Sequence, residues 1–127
     1  MQHSSARGPP VFEIRDAAGA TNLLVETAAL GRALAESLGQ ASIVLMRGHG
    51  DTVVGPNVRL ATYWAIYAEV NARQLAQAIA IGGPITFIEG EEQRLAHENM
   101  TKAYERPWQM WKREAMAGKR ADAYPPA

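Results

Sequence analysis

Short apolar runs and longer apolar stripes alternate along the chain, which predicts strands interleaved with helices and therefore an α/β fold. The continuous run SIVLM at residues 42–46 predicts a strand buried on both faces. The run DTVVG at 51–55 follows a glycine-rich turn, so we expect the two strands to form a hairpin. Residues 9–14 and 85–88 predict two further short strands, and residues 15–22 predict a turn-rich loop.

Helical periodicity accounts for most of the remaining chain. In TAALGRALAESLG, Thr27 is the expected N-cap, leucines recur at 30, 34 and 38, and Gly39 is the expected C-terminal stop. The longest helix is predicted at 58–81, and two more over EEQRLAHENM and YERPWQMWKREAM. In the longest helix Asn71 falls inside the apolar arc. Its side chain is expected either to be a buried, hydrogen-bonded amide or to form a polar contact between subunits.

Bulk composition narrows the function classes. The chain has 127 residues, enough for one domain, with 13 basic and 13 acidic residues and no cysteine. The balanced charge argues against a nucleic-acid or membrane surface, and a disulfide scaffold or cysteine zinc site is excluded. We expect a cytoplasmic domain at residues 10–116, with a loose segment at 1–9 and a mobile tail at 117–127.

The sequence RGHG at residues 47–50 contains the candidate chemical groups. His49 stands between two glycines after a strand, where an imidazole can ligate a metal, act as acid and base, or merely occupy a tight turn. Arg47 is expected to form a salt bridge with Glu13, Asp16 or Asp51, or to bind a substrate carboxylate. The other imidazoles, His3 and His97, form no HxH or HExxH pair and are expected in solvent.

The order of several segments resembles the class II aldolase/adducin family, most closely its bacterial decarboxylase-like branch. The segments are PVFEIRDAAG, LGRALAESLG, VLMRGHGDTVVG, AIYAEVNARQLAQAIAIGGPITFI and RPWQMWKRE. The resemblance implies an α/β/α sandwich around a mainly antiparallel sheet, assembled as a homo-oligomer, commonly a tetramer. It also implies a divalent metal, typically zinc, held by three histidines, and it places the third of them at His49. Arg47 then points to a small carboxylated substrate.

The same resemblance implies a partial domain. In family members the HxH pair and an acidic catalyst lie upstream of the PVFEIRD segment, near which this sequence begins. We therefore expect a C-terminal portion of a carbon–carbon lyase, for aldol cleavage or decarboxylation, that is inactive alone. The alternative is a non-catalytic, adducin-like self-association module. A third option is an improvised site built from His3, His49 and His97.

Overall fold

A computed structural model of the chain describes residues 8–118. The chain divides into two compact units, Met1–Gly55 and Pro56–Ala127, which we describe separately. Between residues 8 and 118, the first unit contains a small sheet and two helices, and the second contains three helices. The elements in chain order are β1 (Val11–Phe12), α1 (Ile14–Ala18), α2 (Ala28–Leu38), β2 (Ile43–Met46), β3 (Gly50–Val53), α3 (Val58–Ile81), α4 (Gly90–Ala103) and α5 (Glu105–Met116).

The sheet of the first unit has the order β1-β2-β3. Strands β1 and β2 run parallel, with Val11 opposite Leu45, whereas β2 and β3 run antiparallel, with Ile43 opposite Val53. The hairpin predicted from the glycine-rich turn is confirmed, as is the α/β class. Over the described residues the sheet is mixed, with one parallel and one antiparallel pairing.

Helix α2 covers one face of this sheet. Its N-cap is Thr27, whose hydroxyl oxygen accepts a hydrogen bond from the Leu30 N–H at 3.2 Å, and the helix ends at Gly39. Both predicted helix boundaries are therefore confirmed. Its leucines pack against a core of three buried side chains, Phe12, Ile14 and Val44. The partly buried hydrophobic residues around that core are Leu23, Val25, Leu30, Ala33, Leu34, Leu38 and Met46.

The prediction that the strand at 42–46 is buried on both faces is wrong. Val44 is fully buried under α2, but its neighbour Leu45, on the opposite face, is 41% exposed. Successive side chains of a strand point to opposite faces, so a continuous apolar run can still leave one face open. Within the described residues, β2 is therefore a central strand with one covered face.

Two further local predictions are wrong. The loop expected at 15–22 begins as the short helix α1, because the Glu13 carboxylate caps it by accepting the Arg15 N–H at 3.0 Å. One helical turn is too short to show a 3.6-residue period, which is why the pattern missed it. Residues 85–88 form no strand, and the strand pairings described along residues 8–118 involve only β1, β2 and β3.

The second unit is built on the 24-residue helix α3, whose predicted bounds are confirmed. Asn57 caps it by accepting the Leu60 N–H at 3.0 Å, and Gly82, with φ of +81°, ends it. Helix α5 packs on α3, where Tyr63 and Trp111 lie with ring centroids 6.3 Å apart.

Two other properties of these helices bear on function. The Asn71 side chain is exposed, so its interpretation as a buried amide is wrong. None of the helices seen between residues 8 and 118 has the length and apolar character needed to cross a membrane.

Candidate functional site

The turn between β2 and β3 displays the RGHG sequence. The His49 N–H donates to the Met46 carbonyl oxygen at 3.0 Å, which closes a four-residue turn. Gly48, the third residue of that turn, has φ of +70°, the left-handed value that a type II turn requires at this position. Glycine adopts this conformation without strain. Arg47 and His49 flank Gly48, so the turn sets the backbone positions of both residues.

The His49 side chain is exposed, and its imidazole makes no hydrogen bond to any residue between 8 and 118. Both ring nitrogens are therefore open to solvent or to a ligand. Among residues 8–118 no group of three histidine, aspartate or glutamate side chains converges to hold a metal ion. Within the part of the chain that the structure describes, His49 is therefore not part of a three-ligand cluster.

Neither of the other two histidines lies among the described residues of the first unit. His97 lies on α4 in the second unit, where its ring stacks on Trp64 with centroids 5.8 Å apart and planes at 29°. His97 is exposed, as predicted, although one side of its ring is engaged by the indole. His3 lies outside the described residues, so the improvised three-histidine site stays a hypothesis.

Arg47 forms the salt bridge that its sequence context predicted, and Glu13 is the partner. The Arg47 Nε lies 2.6 Å from the Glu13 Oε2. Because only Nε is engaged and 39% of the Arg47 side chain is exposed, its two terminal η nitrogens remain available to a ligand within the described region. A free pair of η nitrogens matches the geometry of a carboxylate.

The Glu13 carboxylate contacts the side chains of two arginines and a backbone N–H in the first turn of α1. The Arg15 Nη2 donates to the Glu13 Oε2 at 2.8 Å, and the Arg15 backbone N–H donates to Oε1. Hydrogen bonds from the Arg15 side chain, then from Arg47, lower the pKa of Glu13 from 4.5 to about 2. The carboxylate stays ionised under ordinary conditions, so it serves as a fixed anionic anchor and not as a proton donor.

An open pocket of about 500 Å³ lies beside Glu13, between β1, α1 and α2. Its polar lining is Glu13, Asp16, Glu36 and Ser37, with no basic side chain. Three carboxylates repel an anion, so this pocket does not suit an acidic substrate. Arg47 and Arg15 both contact Glu13 but are not part of this pocket's lining.

Comparison with known protein families identifies the family of this chain. Residues 8–76 match the family described as the class II aldolase and adducin N-terminal domain, and this stretch covers more than half of the chain. The chain belongs to the class II aldolase/adducin family. The matched stretch includes Glu13, the 47–49 turn and most of α3.

One similar protein is named as a decarboxylase. The chain is 36% identical to decarboxylase tropJ of Talaromyces stipitatus, in an alignment that covers 76% of this chain and 43% of that protein. The chain therefore spans less than half the length of this relative. Enzymes of the class II aldolase family generally use a divalent metal.

Proposed function

We propose that this chain forms part of a class II aldolase-type carbon–carbon lyase that cleaves or decarboxylates a small hydroxy or oxo acid. The observation that carries the proposal is the family match over residues 8–76, supported by similarity to a decarboxylase. The matched region places an exposed imidazole, His49, and a partly exposed guanidinium, Arg47, on one turn. In the assembled enzyme we expect the sheet to extend into the family's α/β/α sandwich.

We assign His49 as a metal ligand. A bound divalent ion, zinc in our proposal, would act as a Lewis acid toward the oxygen on which negative charge develops. Catalytic zinc sites use three protein ligands, and within residues 8–118 no three potential ligands converge around His49. We propose that the further ligands are supplied by groups outside the described residues. We accordingly propose that the purified chain has low metal affinity and little activity alone.

Arg47 is the group that we assign to the substrate carboxylate. Glu13 occupies its Nε and fixes the guanidinium plane, which leaves the two η nitrogens for a bidentate ion pair. Because Glu13 remains ionised, it cannot itself protonate a product. Its role in this proposal is to position Arg47, and that role explains why a salt bridge and a substrate contact can use the same arginine.

A metal-binding experiment tests the His49 assignment directly. Paramagnetic Co²⁺ is titrated into the full chain while the imidazole proton resonances are followed by NMR. We expect the His49 signals to broaden at lower Co²⁺ concentration than those of His97, whose ring is stacked on Trp64. His49→Ala should remove the stronger binding and His97→Ala should keep it. Equal broadening of both rings, or tight stoichiometric binding that survives His49→Ala, contradicts the assignment.

The substrate assignment has a separate readout. Small hydroxy and oxo acids, with the matching alcohols as controls, are titrated against the wild-type chain and against Arg47→Gln and Arg32→Gln. Arg32 is an exposed arginine on α2, outside the turn, and serves as the matched control. Carboxylate-dependent shifts of the 47–49 resonances should disappear only in Arg47→Gln. Shifts that are the same in all three proteins reject Arg47 as the binding group.

A second function, non-catalytic self-association of the adducin type, is favoured by one specific observation. Several large apolar side chains of α3 are exposed in the second unit, among them Val58 at 70% and Ile79 at 63%. Exposed apolar surface of this kind is typical of an interface between proteins. Homo-oligomerisation is common to both proposals, since an oligomeric lyase also needs such a surface.

A further inference from the structure

Leu23 has a backbone conformation that leucine rarely adopts. Its φ is +70°, and between residues 8 and 118 every other positive φ belongs to a glycine. In the left-handed region the Cβ of an L-residue crowds its own backbone, which costs free energy. A leucine keeps such a conformation only where the surrounding structure enforces it, and residues held in this way cluster at functional sites. The strain at Leu23 therefore calls for a physical reason.

The side chains of the two preceding residues enforce this conformation. The Leu23 N–H donates to the Thr21 hydroxyl oxygen at 3.0 Å. The Leu24 N–H donates to the Asn22 side-chain oxygen at 3.0 Å, and the Asn22 Nδ2 donates to the Glu26 Oε1 at 3.4 Å. Threonine and asparagine commonly close short turns through bonds of this kind. These bonds fix the backbone on both sides of Leu23, so the loop holds the positive φ against its cost.

Filling the core does not by itself require this strain. Leu23 packs against the buried core of the first unit. Leu30, Leu34 and Leu38 pack against the same core from the regular helix α2. A leucine can therefore reach this core without a left-handed backbone. The strain does not bury the next side chain either, because Leu24 is 45% exposed.

The Leu23 side chain also reaches the turn that contains the RGHG sequence. A Cβ added to Gly48 would lie 3.3 Å from the Leu23 Cδ1, which is closer than side chains ordinarily pack. The Leu23 methyl group therefore occupies the space into which a side chain at residue 48 would project. Gly48 itself has φ of +70° and stands between Arg47 and His49. Leu23 thus borders the turn at the residue that connects its two candidate ligand-binding groups.

We propose that Leu23 is a positioning residue for the 47–49 turn. Its Cδ1 methyl group limits how far the backbone at Gly48 can shift, and Gly48 sets the placement of Arg47 on one side and His49 on the other. The strained loop keeps the methyl group at this place. The inference rests on the proposed function, because it concerns the two groups assigned there to the substrate and the metal. It adds a residue that acts on both groups through the turn.

A positioning role and a purely structural role predict different results when the side chain is truncated. A leucine that only fills the core affects the turn no more than any other leucine of that core does. A positioning leucine loosens the turn locally, so that binding at Arg47 and at His49 weakens although neither residue is changed. Leu34→Ala is the matched control for Leu23→Ala, because Leu34 packs against the same core and the substitution removes the same atoms.

Amide hydrogen exchange of the full chain, followed by NMR, measures the local effect. The His49 N–H closes the turn, whereas the Leu45 N–H donates across the sheet to the residue before β1. In Leu23→Ala we expect the exchange rate at His49 to rise at least about tenfold more than the rate at Leu45. In Leu34→Ala the rate at His49 should rise no more than the rate at Leu45. Exchange at His49 that is unchanged in Leu23→Ala, or that rises equally in both variants, overturns the proposal.

Two further substitutions separate the side chain of Leu23 from its backbone. Leu23→Met keeps the apolar volume and should return the His49 exchange rate to within about threefold of wild type. Leu23→Gly removes the strain, since glycine adopts positive φ freely, but it also removes the methyl group. This variant should unfold at higher urea concentration than Leu23→Ala and yet exchange at His49 at least as fast. Wild-type exchange at His49 in Leu23→Gly would assign the effect to the backbone and overturn the role of the methyl group.

Ligand titrations show whether the fixed turn matters for binding. In Leu23→Ala we expect the Co²⁺ concentration that broadens the His49 ring, and the acid concentration that shifts the 47–49 resonances, to rise at least about threefold. Leu34→Ala should stay within about twofold of wild type for both. Faster exchange at His49 with unchanged binding of both ligands overturns the positioning role. A wild-type chain that binds neither ligand refutes the proposed function instead, and the exchange rates then still decide whether Leu23 holds the turn.

Discussion

The Glu13 carboxylate and the Arg47 guanidinium meet at 2.6 Å because each residue directly follows one of two parallel strands. Phe12 ends β1 and lies opposite Met46, which ends β2. The carboxyl ends of parallel strands lie at the same edge of a sheet, so the next residues of both strands are brought together. The Arg47 N–H continues this pairing by donating to the Phe12 carbonyl oxygen at 3.3 Å. Ligand-binding residues of α/β folds commonly lie at this edge.

The first prediction concerns the pH dependence of this contact. The folded-state pKa of Glu13 is lowered from 4.5 to about 2, so its stabilising contribution is complete above about pH 4.5. The contribution is lost as the pH falls toward 2, where the carboxylate is protonated even in the folded state. We expect Glu13→Gln to be less stable than wild type near neutral pH. The difference between the two proteins should shrink as the pH approaches 2.

Urea unfolding of both proteins at a series of pH values measures this difference. Glu36→Gln is the control, because Glu36 is an exposed carboxylate of the same unit with no ion pair to the described residues. It should leave stability nearly unchanged across the series. A Glu13→Gln difference that is constant with pH would mean that the carboxylate charge does not stabilise the fold.

The second prediction compares two neighbouring residues of β2 that face opposite ways. Val44 is fully buried and Leu45 is 41% exposed. Val44→Ala removes buried methyl groups and leaves a cavity under α2, so we expect a loss of about 2 kcal/mol in the free energy of unfolding. Leu45→Ala removes more atoms but should cost less than about 1 kcal/mol. Chemical unfolding followed by circular dichroism measures both values. Equal costs would show that the second face of β2 is covered in solution.

The comparison of Val44 with Leu45 also shows where sequence reasoning reached its limit. The helix boundaries at Thr27, Gly39 and Gly82 were predictable because caps and stops are local chemistry. The hairpin at 47–49 was predictable for the same reason. Whether a strand has one covered face or two depends on elements distant in sequence, and a run of five residues contains no such information.

The site was predictable to a similar degree. The salt bridge of Arg47 was expected from the need to pair a guanidinium, and Glu13 was among three candidate partners. Selecting Glu13 requires the parallel register of β1 and β2, which has no local signature. Helix α1 was missed because it is a single turn and because its N-cap is Glu13, whereas the residues that signal an N-cap in a sequence are serine, threonine, aspartate and asparagine.

The third prediction concerns the N-cap of α2, the helix that covers the core. Thr27→Ala removes the hydroxyl that accepts the Leu30 N–H and should lower the free energy of unfolding by about 1 kcal/mol. Thr86→Ala makes the same change at an exposed residue outside every helix and strand, and should have an effect below about 0.5 kcal/mol. Amide hydrogen exchange adds a local readout, because protection at Leu30 should fall in the first variant alone. Unchanged protection at Leu30 would show that the cap is absent in solution.

The fourth prediction is a pair of glycine substitutions with opposite signs. Gly48 has φ of +70° in the 47–49 turn, and a Cβ there would lie 3.3 Å from the Leu23 Cδ1. Gly48→Ala should therefore destabilise the chain by about 1–2 kcal/mol, the cost of a left-handed alanine. Gly31 lies inside α2 with nothing within 4 Å of an added Cβ. Gly31→Ala should stabilise by about 0.5–1 kcal/mol, because alanine loses less backbone entropy in a helix.

The Gly48 substitution also tests whether the backbone conformation of the turn affects metal binding at His49. If the left-handed glycine sets the placement of His49, Gly48→Ala should weaken Co²⁺ broadening of the His49 ring, while Gly31→Ala should not. Gly48→Asn is the informative intermediate, since asparagine tolerates positive φ better than alanine and should recover part of both losses. Loss of stability with unchanged Co²⁺ broadening would mean that the turn supports the fold but does not orient the imidazole. Recovery of both properties by asparagine would tie the position of His49 to the backbone conformation of Gly48.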